Sequence, residues 1–107
     1  MDNLYITLTM EIPGVGRSRH AAELLPITAE HCRILRLIEF GPNDEITGAV
    51  FQQQPVGQVS LPSEMVPHPD TYENFPEIAS SALHAHEFEG LWIEAQRKFP
   101  ELPGTSK

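Results

Sequence analysis

The sequence predicts a small α+β fold: an antiparallel sheet of about four strands with a C-terminal amphipathic helix packed on it. Three observations carry this expectation. Residues 5–12 alternate between apolar and polar, two apolar runs in the middle of the chain flank a tight turn, and the last third carries an apolar stripe at helical spacing. A chain of 107 residues is one domain by default. Residues 1–100 are expected to form it, with 101–107 as a flexible C-terminal tail.

The first strand is read from Tyr5 to Ile12, with Ile6, Leu8, Met10 and Ile12 on one face and Tyr5, Thr7, Thr9 and Glu11 on the other. Pro13-Gly14-Val15-Gly16 ends it in a turn. Ala21 to Ile27 is a second strand, and Pro26 within it predicts an edge position, because proline cannot donate to a ladder. Arg33 to Phe40 is apolar on both faces, as a central strand requires. A helix competes there, since Thr28-Ala29-Glu30-His31 resembles a capping start. The turn Gly41-Pro42-Asn43-Asp44 favours a strand, and Ile46 to Phe51 then completes a hairpin.

From Gln52 to Pro69 the chain reads as loop, broken by Pro55, Pro62, Pro67 and Pro69, with room for one helical turn at Ser63 to Val66. Loops on a rigid scaffold commonly carry function. The helix closes the chain. Phe88, Leu91, Trp92, Ala95 and Phe99 form one stripe, opposite a polar face of Glu87, Glu89, Glu94, Arg97 and Lys98. Acids early and bases late suit the helix dipole. His84 with Glu87 forms the start, Pro100 the stop, and Gly90 is a weak point costing about 1 kcal/mol against alanine.

Charge narrows the function. Fifteen acids against seven Lys and Arg leave a formal −8, which argues against binding nucleic acid or an anionic membrane surface, since both are held by cations. The acidity is uneven. Residues 1–40 sum to −1 and residues 41–107 to −7, and no Lys or Arg occurs in the sixty residues from Leu37 to Gln96, which hold ten acids. Such a field steers a basic partner; it equally serves solubility. No apolar run approaches the roughly 18 residues of a membrane helix. The start lacks a signal-peptide pattern, and Cys32, the sole cysteine, forbids an intrachain disulfide. A cytoplasmic protein is expected.

Motifs for chemistry are weak. Gly14-Val15-Gly16-Arg17-Ser18-Arg19 lacks the third glycine of a dinucleotide loop and reads as a turn. His84-Ala85-His86-Glu87 hints at a metal site with His68 or His31, but on a helix the two imidazoles diverge by about 200°. Adjacent His31 and Cys32 point to opposite faces of a strand, which leaves Cys32 a buried thiol. Glu87 and Glu89 straddle Phe88 and make a poor acid–base pair, and Trp92 reads as a core anchor. No catalytic residue, metal site or cofactor is expected. The acidic, proline-flanked segment from Pro69 to Pro76 differs, because Tyr72 and Phe75 among acids suit recognition of a basic surface. The competing reading folds Phe75 back onto the core. The candidate partner-binding residues are Asp70, Tyr72, Glu73 and Glu77, with Asp44 and Glu45 as rim.

The pattern as a whole resembles a small uncharacterised bacterial domain family found near toxin and immunity systems. The residues that carry the resemblance are the first strand with Tyr5, Glu23-Leu24, Arg33-Ile34-Leu35-Arg36-Leu37-Ile38-Glu39-Phe40, Leu61, Phe75, Ile78 and Phe88-Glu89-Gly90-Leu91-Trp92, within roughly residues 4–98. Leu83 to Phe88 stands where the family has an Ile-Ser-x-Glu-Glu-Phe pattern, and Asn43-Asp44-Glu45 lacks its Gly-rich turn. The resemblance implies an immunity-type inhibitor that occludes a basic toxin, a nuclease among the options. Two alternatives stay open: a phage or mobile-element inhibitor of a host defence nuclease complex, and a small metal-binding or enzymatic module using His84, His86 and His68. Tyr5 to Ile12 or the edge strand offers a line for a homodimer.

Overall fold

The computed structural model describes residues 3–12, 16–41, 43–52, 54–59, 65–68, 71 and 78–102. Candidate residues Asp70, Tyr72, Glu73 and Glu77, together with Phe75, lie outside them. Eight elements follow in order: β1 (Leu4–Ile12), β2 (Gly16–Pro26), β3 (His31–Phe40), β4 (Ile46–Phe51), β5 (Gln54–Gly57), β6 (Met65–Pro67), β7 (Ile78–Ala82) and α1 (Ala85–Lys98). The strands form one antiparallel sheet in the order β5-β4-β3-β2-β1-β7, with β6 extending the far end of β3. The α+β architecture and the packed C-terminal helix are as expected.

The number of strands is not. The four expected strands are β1 to β4; β5, β6 and β7 add four, three and five residues. Gln-Pro-Val-Gly, Met-Val-Pro and Ile-Ala-Ser-Ser-Ala lack the β-branched alternation that marks a strand, so neighbours rather than propensity recruit them. The helical turn expected at Ser63 to Val66 gives way at Met65 and Val66 to β6, which pairs with Cys32 and Arg33.

The edge position expected for the second strand is also overturned. β2 lies between β1 and β3, paired on both sides. Pro26 is its last residue, opposite Cys32, where the ladder ends and a missing N–H costs little. Thr28, the imagined helix cap, serves the turn into β3. Its Oγ1 accepts the Glu30 and His31 N–H groups at 3.1 and 3.0 Å.

One bulge decides which side chains meet the helix. Glu23 pairs with Arg36 and Leu24 with Ile34, which leaves Leu35 as an extra residue in β3. An extra residue flips the alternation. Cys32 and Ile34 therefore face one side with Leu37, Ala22, Leu24, Ile6 and Val50, while Ile38 and Phe40 face the other with Ala21, Ala49, Phe88 and Trp92. The bulge also frees the Leu35 carbonyl, which accepts the Gln52 N–H at 3.0 Å.

The helix is the predicted stripe made real. Phe88, Trp92 and Ala95 are fully buried, with Leu91 and Phe99 partly so. Ala21 and Ala49 below them are small, and that leaves room for two large rings. At the start of α1 the Glu87 carboxylate accepts the His84 N–H at 2.9 Å. The packed body runs past position 100, where the tail was expected to begin: Leu102 is buried in the helix-side core. Gly57 has φ +75° and a Cβ there would lie 2.8 Å from the Phe99 ring, so glycine is required at the end of β5.

Candidate functional site

The polar centre of the structure is an ion cluster between sheet and helix that the residue pattern does not announce. Arg36 reaches it because of the Leu35 bulge, Glu23 because it sits opposite on β2, and Glu89 because it starts the second turn of α1. Arg36 Nε donates to Glu23 Oε1 at 2.5 Å. Its Nη1 and Nη2 donate to the two oxygens of Glu89 at 3.0 and 2.6 Å, a bidentate fork. The second Glu23 oxygen accepts Asn3 Nδ2 at 2.8 Å and the Tyr5 hydroxyl at 3.1 Å. The guanidinium carbon also lies 4.9 Å from the Phe88 ring centre and 5.2 Å from that of Trp92.

Arg36 and Glu23 are 6% and 7% exposed, so neither ion would persist there unpaired. Burial pulls the Arg36 pKa down, but the hydrogen bonds and charges of Glu89 and Glu23 outweigh it and raise the pKa above its usual value. Burial, then the Glu23 charge and hydrogen bond, push the Tyr5 phenol up. The cluster thus holds a guanidinium between two carboxylates and excludes water from one side of it. It binds the helix to the sheet. Tyr5 and Glu89, both assigned to solvent-facing sides by period, are half-buried and bonded into this seam instead.

The acidic rim lies at the end of the sheet. In the β3–β4 turn, Asp44 takes φ +64°, a left-handed conformation that aspartate tolerates better than most residues. The turn is closed by Gly41 N–H to Glu45 O at 2.8 Å and Asp44 N–H to Gly41 O at 3.0 Å. Asp44 is exposed but engaged: its Oδ1 accepts Arg19 Nη1 at 2.8 Å, and Arg19 lies 4.4 Å above the Phe40 ring. Glu45 is exposed, and its Oε1 accepts the Asn43 N–H at 3.1 Å. Asp44 and Glu45 are the two predicted partner-binding residues that the described structure places, side by side in one turn. Glu87, Glu94 and Glu101 are further exposed acids, on α1 and just after it.

The histidine pair behaves differently from the helical expectation. His84 precedes α1 with an extended backbone (φ −77°, ψ 151°), so the helical divergence does not apply to it. The His84 and His86 rings stack 5.6 Å apart and 8° from parallel. Among the described residues no group of three or more His, Cys, Asp or Glu is placed to hold a metal ion. Cys32 is buried and His31 exposed, on opposite sides of β3.

Sequence reasoning missed Arg36, Glu23 and Glu89 as a unit. The available signal was an arginine inside the apolar run Ile34-Leu35-Arg36-Leu37-Ile38, because a charge in such a run needs a buried partner of opposite sign. Among the described residues no helix is long and apolar enough to cross a membrane. Compared with protein-family models, with curated proteins and with solved structures, the chain matches none.

Proposed function

We propose that this chain is a small acidic binding protein, an immunity-type inhibitor that neutralises a basic toxin by covering its active surface. The observation that carries the reading is the stretch from Leu37 to Gln96, with ten acids and no Lys or Arg. In the fold Arg36 neutralises one acid of this stretch, Glu89, and the exposed acids Glu45, Glu87 and Glu94 remain to set the negative field that a partner meets. In this reading Asp44 and Glu45 are rim residues that steer approach, and Asp70, Tyr72, Glu73 and Glu77 form the contact centre. Steering charges set the association rate and buried aromatics the residence time.

The test is capture of the partner from the native cell, with binding then measured between 50 and 500 mM salt. We expect a basic partner whose association slows at least tenfold over that range, because the Debye length falls from about 14 to 4 Å. Glu73→Gln with Glu77→Gln should slow association further, and Tyr72→Ala should speed dissociation. A partner that is acidic, or binding indifferent to salt, rejects the reading.

A further inference from the structure

The two outer edges of the sheet are built differently, and the difference points to a partner for one of them. On the β5 side the Gln58 N–H donates to the Thr47 carbonyl at 2.8 Å. Antiparallel pairs alternate between hydrogen-bonded and open. Continuing that register, Val56 and Gln54 direct their backbone groups at β4, and Pro55 and Gly57 direct theirs outward. Proline has no N–H to offer, and Gly57 turns the chain at φ +75°. That edge is blunted at each outward position.

Among the described residues the β7 side has no such device. The Leu83 N–H donates to the Tyr5 carbonyl at 2.8 Å, and the register runs on unbroken from there to Met10 opposite Ile78. Ser81 and Ala79 therefore spend their backbone groups on β1, while Ile78, Ser80 and Ala82 point theirs away from it. Residues 79 to 82 are all exposed. The strand Ile-Ala-Ser-Ser-Ala contains no charge, no proline and no bulge, the features by which sheets protect a free edge.

We propose that β7 pairs antiparallel with β7 of a second copy of this chain, across a two-fold axis at Ser80. The outward set is centred on Ser80, so the axis places Ser80 opposite Ser80, and Ile78 opposite Ala82 in both directions. Each is a hydrogen-bonded pair, which satisfies every outward backbone group of the strand at once. At the axis the two facing residues are both Ser80, and in each flanking pair an alanine, Ala82, faces Ile78, so no pair sets two large side chains against each other. The outward set is its own complement about Ser80, which fits a second copy. The segment from Ile78 to His86 holds no acid, so it offers no carboxylate to draw a basic strand and none to face a carboxylate of a second copy across the paired residues.

Sedimentation equilibrium and amide hydrogen exchange on the whole chain test this together. We expect a mass that rises with concentration from 12.0 kDa to twice that value. In the dimer the Ser80 and Ala82 amides should exchange about tenfold or more slower than on dilution, while Ala79 and Ser81 stay protected throughout. Ser80→Lys, which puts a charge at the axis, and Ser80→Pro, which removes an N–H that β1 does not use, should each hold the chain at 12.0 kDa. A monomer at every concentration, a dimer that survives both substitutions, concentration-independent exchange at Ser80, or an edge that pairs only with another protein's strand overturns the proposal.

Discussion

Two arginines on the helix-facing side of the sheet use the same chemistry to different effect. Arg36 and Arg19 each lie over an aromatic ring and each pair with carboxylate, yet Arg36 is at the centre of the helix contact and Arg19 at its rim. The Arg36 and Glu23 side chains are 7% and 9% exposed; those of Arg19 and Asp44 are 37% and 74% exposed. Water screens the outer pair and lets either partner leave without leaving a buried charge. At the inner cluster each ion depends on the others. The inner cluster is therefore a structural seam, and the outer turn keeps its ion pair in contact with solvent.

Removing the inner arginine should produce the largest effect. Arg36→Met leaves Glu23 buried without a counter-ion and should cost about 3–5 kcal/mol in urea unfolding. Adding Glu23→Leu and Glu89→Leu should recover most of that loss, because the apolar replacement removes the unpaired charge as well. A smaller change on the same helix separates backbone from charge. A Cβ at Gly90 meets nothing within 4 Å, so Gly90→Ala should raise stability by about 1 kcal/mol without touching Arg36.

The outer pair should respond weakly. Asp44→Asn preserves the tolerance for a left-handed backbone and removes only the charge; it should cost less than about 1 kcal/mol, with the difference vanishing in high salt. The smallest effect is one of pH. The folded-state pKa of Tyr5 is raised, so the unfolded chain loses its proton first, near pH 10. The stability that Tyr5 contributes is complete below that pH and lost as pH rises toward the folded value. Tyr5→Phe should flatten this alkaline decline, read as the difference between the two unfolding curves against pH.

How much of this was legible varies with the range of the interaction. The hairpin of β3 and β4 announced itself through the run Arg33 to Phe40 and the turn at Asp44, and α1 through Phe88, Trp92 and Ala95, because period and turn chemistry are local. The strands β5, β6 and β7 were not legible: Pro55, Pro67 and the Ser80-Ser81 pair carry no strand propensity, and their pairing depends on residues far along the chain. Of the candidate binding residues, Asp44 and Glu45 could be placed, and the former turned out to hold Arg19 over Phe40 as well as face solvent.

Composition and local periodicity already implied an α+β chain with a C-terminal amphipathic helix, a buried Cys32 and Trp92, and an acidic stretch without cations. Those are properties of neighbours in the chain. The positions of β2 and β7, the face that Arg36 occupies, the burial of Glu23 and the bonding of Tyr5 and Glu89 into the same cluster came only with the assembled fold. A single extra residue, Leu35, exchanges the two faces of β3 between Ile34 and Arg36, and an alternating pattern cannot say where its own phase will slip.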